Sequence, residues 1–171
     1  VGGEAGVRPE AILLTHGHGD HILAAEDLKK AYSVPIVAAE TERALLADPA
    51  LNLSVALGMP STSLRADREV RDGETLELAG FRFRVLATPG HTSGSVCYLA
   101  EGEDALFAGD TLFEESLGRT DFPTGSVQEI VASISQVLFA LPEDTMVYPG
   151  HGNPTTIGHE KRYNPVAIYR R

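Results

Sequence analysis

Residues 15–21 read Thr15-His16-Gly17-His18-Gly19-Asp20-His21, a stretch whose last six positions hold three of the chain's six histidines and a carboxylate. Ahead of it runs Ala11-Ile12-Leu13-Leu14-Thr15, apolar over the length of a buried strand. Imidazoles at i and i+2 project the same way from a strand end, so His16 and His18 can share one ion. Asp20 and His21 follow where the chain turns, and Gly17 and Gly19 leave the backbone free to curl around a site. A lone histidine here would read as part of a polar loop capping a helix. Four ligand-type side chains spaced only by glycine read as a metal site.

Three other places repeat one pattern, in which a strand ends, small residues follow and a ligand-type side chain appears. They are Thr88-Pro89-Gly90-His91, Ala108-Gly109-Asp110 and Pro149-Gly150-His151. Each alone is an ordinary turn. With the first stretch they supply His16, His18, Asp20, His21, His91, Asp110 and His151 from four strand-end loops, which is where rigid scaffolds build sites. All seven are imidazole or carboxylate, a donor set for zinc, iron or manganese and not for a thiolate centre. Seven ligands exceed one four-coordinate ion and suit two ions about 3.5–4 Å apart that share a carboxylate.

The rest of the chain sets the frame. Its 171 residues are 43% hydrophobic, enough for one domain with a sizeable core and too few for two ordinary ones, so residues 1–171 read as a single domain. The net charge of −10 argues against nucleic acid or an anionic membrane as partner. Cys97 is the one cysteine, so no internal disulfide framework forms, and a reducing, cytoplasmic setting is expected. No apolar run reaches the roughly 18 residues of a membrane span. The chain opens at Val1 and not at methionine, which leaves room for residues ahead of it.

Residues 1–9 read as loop, and Gly2-Gly3 within them lacks the strand and the Lys-Ser/Thr of a phosphate loop. The apolar positions Ile22, Leu23, Ala25 and Leu28 predict a helix from Asp20 to about Tyr32. Val34–Ala38 reads as a strand, Glu40–Ala47 as a helix, and 48–67 as mostly loop. Leu76–Leu78 and Phe81–Leu86 alternate apolar with polar around Ala79-Gly80, a hairpin. Ser95–Ala100 and Asp104–Ala108 form a second pair. Gln128–Leu141 has helical spacing and stops at Pro142, and Thr145–Tyr148 is expected as the last strand. Helices at both ends of a hairpin-rich block argue for an α/β layered fold.

The order HxHxDH…H…D…H, carried by THGHGDH, TPGHTSGS, GDTLF and PGHG, resembles the metallo-β-lactamase-fold hydrolases. The segments GDTLFEESLGRTDFPTGS and YPGHGNPTTIGHEKRYNP look most like their small glyoxalase II-like branch. The resemblance runs from Pro9 almost to the end and implies a four-layer αββα sandwich with metals at one edge of its two sheets. By position, His16, His18 and His91 would hold one metal, and Asp20, His21 and His151 the other, with Asp110 bridging. Family members usually carry about two hairpins ahead of HxHxDH, so N-terminal strands are expected to be missing or reduced. The helical domain that binds glutathione in the long glyoxalases II is likewise expected to be lacking after YNP. Aspartate at 110, where the main groups of class B lactamases use cysteine, disfavours β-lactam hydrolysis.

The resemblance and the ligand set together imply a metal-dependent thioester hydrolase of the acyl-glutathione type, with two divalent metals, zinc first and iron or manganese as alternatives. Its nucleophile would be a water whose pKa the two metals lower, oriented by Asp20 and Asp110. A thiolate leaves with little protonation, whereas an amide or alkoxide would need a general acid that the sequence does not offer. The substrate would be a small anionic thioester met by Arg119, Lys161 and Arg162. Arg119 could instead pair with Asp121. Cys97, within an apolar strand, reads as core and not as a nucleophile, and His159 as a surface residue. The nearest alternative is a mononuclear iron persulfide dioxygenase, whose members share GRTDF. A nuclease of the same superfamily is disfavoured by charge, and a metal-binding domain without turnover is the alternative from another class.

Overall fold

A computed structural model describes residues 6–168. Part of the loop expected over 1–9, including Gly2-Gly3, lies outside the described residues. Strands β1 (Ile12–Leu13), β2 (Ile36–Ala39) and β3 (Arg68–Val70) form a parallel sheet in that order. Strands β4 (Thr75–Leu78), β5 (Phe81–Ala87), β6 (Val96–Glu101) and β7 (Ala105–Gly109) run antiparallel in a second sheet. A small hairpin of β8 (Leu112–Phe113) and β9 (Ser116–Leu117) follows. Then β10 (Met146–Pro149) adds parallel to β7, and β11 (Thr155–Thr156) antiparallel to β10, completing six strands.

Alternation along the strands builds three cores and hence four layers. On β2, Ile36 and Ala38 point toward Ile22, Ala25 and Leu46 of the N-terminal helices, while Val37 and Ala39 point toward the second sheet. On β6, Val96 and Tyr98 face Val37 and Val85 between the sheets, and Cys97 faces Leu106, Ile130 and Ile134 on the far side. The expected helix–sheet–sheet–helix order is therefore written into period-two patterns on both sheets. The sheets are also pinned together beside the histidine cluster. The Tyr98 hydroxyl donates to the Leu14 carbonyl (2.8 Å) and the Val96 amide to the Thr15 carbonyl (2.9 Å). Those bonds hold the end of β1 against β6, and the cluster starts one residue later.

Ala79 and Gly80 both have positive φ (53° and 80°), the backbone of a two-residue hairpin turn that matches strand twist. Elsewhere the elements are more broken than the sequence suggests. The helix expected from Asp20 to Tyr32 is two, α1 (Gly19–Ile22) and α2 (Ala25–Tyr32), and His18 rather than Asp20 stands at the cap of the first. Leu23 at the break and Leu28 are both 43% exposed, so the apolar stripe is narrower than its periodicity implies. Glu40–Glu42 is a 3-10 turn that leads into α3 (Arg43–Ala47).

The long C-terminal helix begins as α4 (Val127–Ala132), capped by Ser126, and continues as a π turn over Ser133–Val137 and a 3-10 turn over Leu138–Ala140. The Ser135 hydroxyl competes within its ladder there, donating to the Val131 carbonyl (2.6 Å), while Ser133 ties the helix to the Pro89 carbonyl (2.7 Å). Strand β10 is not the last, since β11, α5 (Ile157–Tyr163) and α6 (Pro165–Ile168) follow it. Among the described residues, no helix is long and apolar enough to cross a membrane.

Candidate metal centre

Four loops leave the C-terminal ends of β1, β5, β7 and β10, and the seven ligand-type side chains meet where those loops converge. His16, His18 and His91 are buried and present nitrogens that could hold one ion; Asp20, His21 and His151 form a second such group nearer solvent. Asp110 stands between them. Its Oδ2 lies 3.5 Å from His91 Nε2 and 3.4 Å from His151 Nε2, and its Oδ1 lies 3.3 Å from His21 Nε2. Asp20 Oδ2 is 3.1 Å from His151 Nε2 and 3.4 Å from His21 Nε2. A third possible grouping, His16 with His21 and Asp110, runs across the two.

The cluster bears the marks of a cation site. His16 Nε2, His18 Nε2, His21 Nε2 and Asp110 Oδ1 are buried and have no hydrogen-bond partner among the described residues. Buried polar atoms are normally paired, because an unpaired one costs about 1–3 kcal/mol. Four such atoms on residues of one cluster are of the imidazole and carboxylate type that suits a divalent metal. Burial, with the neighbouring imidazoles, lowers His16 well below the usual histidine range and His18 to about 4. Both are thus held in the neutral form that ligates. Burial also works against charge on His21, but the Asp110 carboxylate 3.3 Å away, with Asp20, wins and raises it. Asp110 is opposed by burial and still lowered, by His21 first and then His91 and His151.

Surrounding residues orient these side chains. The Nδ1–H of His91 donates to the Arg119 carbonyl (2.8 Å), which leaves Nε2 unprotonated and facing His18 Nδ1, 2.9 Å away. Gly150 packs so close to Asp110 and His21 that any Cβ there would overlap both. Glu42, only 1% exposed, accepts from the Gly17 amide (2.9 Å) and the Thr92 hydroxyl (2.8 Å). It thereby ties the loop carrying His16 and His18 to the loop carrying His91. Burial pushes its carboxyl above the usual range, opposed by hydrogen bonding from Gly17, Thr92 and Gly94. Sequence reasoning missed Glu42. Its place three and four residues before buried Leu45 and Leu46, on the inner face of that helix, was the available signal.

The cluster floors an open cleft of about 430 Å³, whose lining includes His18, Asp20, His91, Asp110, His151 and Arg119. Arg119 pairs with Asp121 through two bonds (2.7 and 2.6 Å) and lies 3.9 Å over the Phe122 ring. Lys161 and Arg162, expected beside it, sit on α5 and do not line the cleft, and Arg162 reaches Glu143 (3.3 Å) instead. Their place is a consequence of α5, a helix that no apolar periodicity in the sequence announces. Cys97 is fully buried in the third core, and burial pushes its thiol up to about 11, as befits a structural cysteine. His159 pairs with Glu115 (3.0 Å), apart from the cluster.

Comparison with known proteins agrees with this geometry. Residues 3–151 match the family model of the metallo-beta-lactamase superfamily. The hydroxyacylglutathione hydrolase GloC of Haemophilus influenzae is 39% identical over 158 residues, covering 91% of this chain and 74% of GloC. The crystal structure of the B3 metallo-beta-lactamase BLEG-1 superposes with a TM-score of 0.91 at 43% identity, over 96% of this chain and 79% of that one. TTHA1623, solved in a di-iron-bound form, gives a TM-score of 0.84 at 37% identity, over 94% and 79%.

Proposed function

The chain belongs to the metallo-β-lactamase superfamily, and from that premise we propose that this metallo-hydrolase cleaves thioesters of the acyl-glutathione type at a two-metal centre. His16, His18 and His91 would hold one divalent ion and Asp20, His21 and His151 the other, with Asp110 shared between them. The observation that carries the reading is the set of buried, unpartnered ligand atoms on His16, His18, His21 and Asp110. Two divalent ions bound there, zinc or iron before manganese, supply Lewis acidity for the carbonyl and a water acidified to near neutrality.

The protein's own part is arrangement. The Arg119 carbonyl fixes the tautomer of His91, and burial keeps His16 and His18 in the neutral form that ligates. Asp20 and Asp110 each bring one carboxylate oxygen to His151 Nε2 (3.1 and 3.4 Å), where they can orient a water proton. The cleft has no proton-donating side chain besides the ligand set, Ser116 and Arg119 among the described residues. That favours a leaving group needing no acid, and a thiolate from a thiol of pKa near 8.5 is one. Arg119, at the rim, is the cation best placed to meet an anionic thiol carrier; Lys161 and Arg162 lie off the lining.

The similarity to GloC supports the acyl-glutathione form of the substrate, and that to BLEG-1 makes a β-lactam worth assaying. The test is thiol release from an acyl-glutathione under nitrogen, beside oxygen uptake with glutathione persulfide and hydrolysis of a β-lactam. Thiol release without oxygen supports the proposal. Oxygen uptake without thioester cleavage would assign the chain to the dioxygenase reading, and cleavage of the β-lactam alone to a lactamase.

A further inference from the structure

One wall of the cleft is built around a backbone conformation that its residue disfavours. Leu53 has φ of +66°, left-handed space that crowds the Cβ of any residue but glycine, and it is 6% exposed. The positive φ is imposed from both sides. Asn52 and Ser54 are fully buried; the Asn52 amide donates to the Thr62 carbonyl (2.7 Å), its oxygen accepts from the Ser54 amide (3.0 Å), and the Thr62 amide donates to the Ser54 hydroxyl (3.1 Å). The Gly19 amide donates to the Asn52 carbonyl (2.8 Å), fastening this segment to the start of α1, which carries Asp20 and His21. The Leu57 amide then donates to the Leu53 carbonyl (2.9 Å), one helical turn on.

Both leucines line the cleft, and Leu57 is 49% exposed there. Phe113 and Leu117 from the β8–β9 hairpin and Phe122, edge-on to His18 at 5.7 Å, supply further apolar lining. Away from the ligand set, Ser116 and Arg119 are the polar lining residues, and the Arg119 guanidinium is engaged by Asp121 and Phe122. The left-handed backbone at Leu53 is thus held by two buried polar residues, and Leu53 and Leu57 present apolar surface to the cleft. Apolar surface left open beside a reaction centre gains by covering an apolar ligand, and a hydroxyl placed against it loses water without a partner.

We infer that the leucine wall is the acyl pocket, and that the preferred substrate carries an apolar acyl chain longer than acetyl in place of a short or hydroxylated one. This rests on the thioester reading above and specifies its acyl half; the thiol carrier would extend past Arg119.

The experiment compares acetyl-, butanoyl- and hexanoyl-glutathione with the metal-loaded protein, and separately titrates acetate and hexanoate, the product carboxylates, by calorimetry. Each methylene covered should raise kcat/KM about two- to fourfold, so hexanoyl, with four more methylenes, should exceed acetyl by about 16-fold or more. Leu57→Ala should lower the hexanoyl-to-acetyl ratio on the order of fivefold, while Val55→Ala, on the same loop but outside the lining, leaves the ratio alone. A flat or falling series in a protein that does cleave acetyl-glutathione overturns the inference and spares the hydrolase. If no thioester is cleaved, the hydrolase reading fails, and the carboxylates still decide the pocket. Hexanoate bound at least several-fold tighter than acetate, with the difference reduced in Leu57→Ala, supports it; equal binding overturns it.

Discussion

Replacing Glu42 should damage a metal centre that it does not touch. Its Oε1 takes the Gly17 amide at 2.9 Å and the Thr92 hydroxyl at 2.8 Å, and Gly17 sits between His16 and His18 while Thr92 follows His91. In Glu42→Ala the Thr92 hydroxyl can still pair with Ser95, 2.8 Å away, but the buried Gly17 amide has no replacement acceptor. A hydrogen bond to a charged acceptor contributes about 1.5–3 kcal/mol, and an orphaned buried donor costs a similar amount. Against this stands the carboxylate's own burial, which Glu42→Ala relieves. The balance is a loss of about 2–4 kcal/mol, and about 1 kcal/mol for Glu42→Gln, which keeps the acceptor for Gly17. Metal affinity at the three-histidine group should fall about 10- to 100-fold, as for other residues that orient ligands from behind. Urea unfolding of metal-free protein reads the first quantity and competition with a chelator the second. A Glu42→Ala protein with an unchanged midpoint and both metals held within twofold of wild type refutes the reasoning.

Three other outcomes follow from the same packing. Because burial lowers His18 to about 4 from an ordinary 6.5, the unfolded chain binds the extra proton between those values. Its contribution is complete above pH 6.5 and lost as pH falls to about 4, so metal-free wild type should lose about 3 kcal/mol more than His18→Gln over that window, measured by urea midpoints. A Cβ at position 94 would overlap the carboxylate and backbone of Glu42, so Gly94→Ala should destabilise by about 1–3 kcal/mol and lower metal affinity in parallel, read by the same two assays. Cys97→Ala trims a fully buried side chain that does not line the cleft, so it should cost about 1 kcal/mol in thermal unfolding and leave turnover nearly intact. A folded Cys97→Ala protein without activity would mean that the nucleophile is not water.

What the sequence made legible depended on the range of the signal. The seven ligand residues are concentrated in short strand-end motifs, so their convergence is expected from the order of residues along the chain. The same holds for the layers, because period-two alternation on β5, β6 and β7 and the apolar run of β2 each report a face. Strands of two or three residues, such as β3, β8, β9 and β11, carry no period to read; they exist because neighbouring strands offer them an edge. Helix α5 escaped because Gly158 and a run of charged residues mask its few inward positions, although Thr156 accepts from the His159 amide as a cap should. Glu42 and Leu53 are instances of a deeper limit. One is a buried acid inside a charged-looking turn, the other a leucine in left-handed backbone, and in both cases tertiary hydrogen bonds from distant residues set the role.

Metal content per chain tests the centre most directly. Saturated wild-type protein, freed of loosely bound ions, should hold two divalent ions per chain, and Asp110→Ala should lose affinity for both, since that carboxylate lies beside histidines of both groups. His91→Ala should hold one, and so should His151→Ala. A wild-type protein that never exceeds one ion per chain at saturation, or an Asp110→Ala protein that still binds two as tightly, would contradict a two-metal hydrolase built on Asp110.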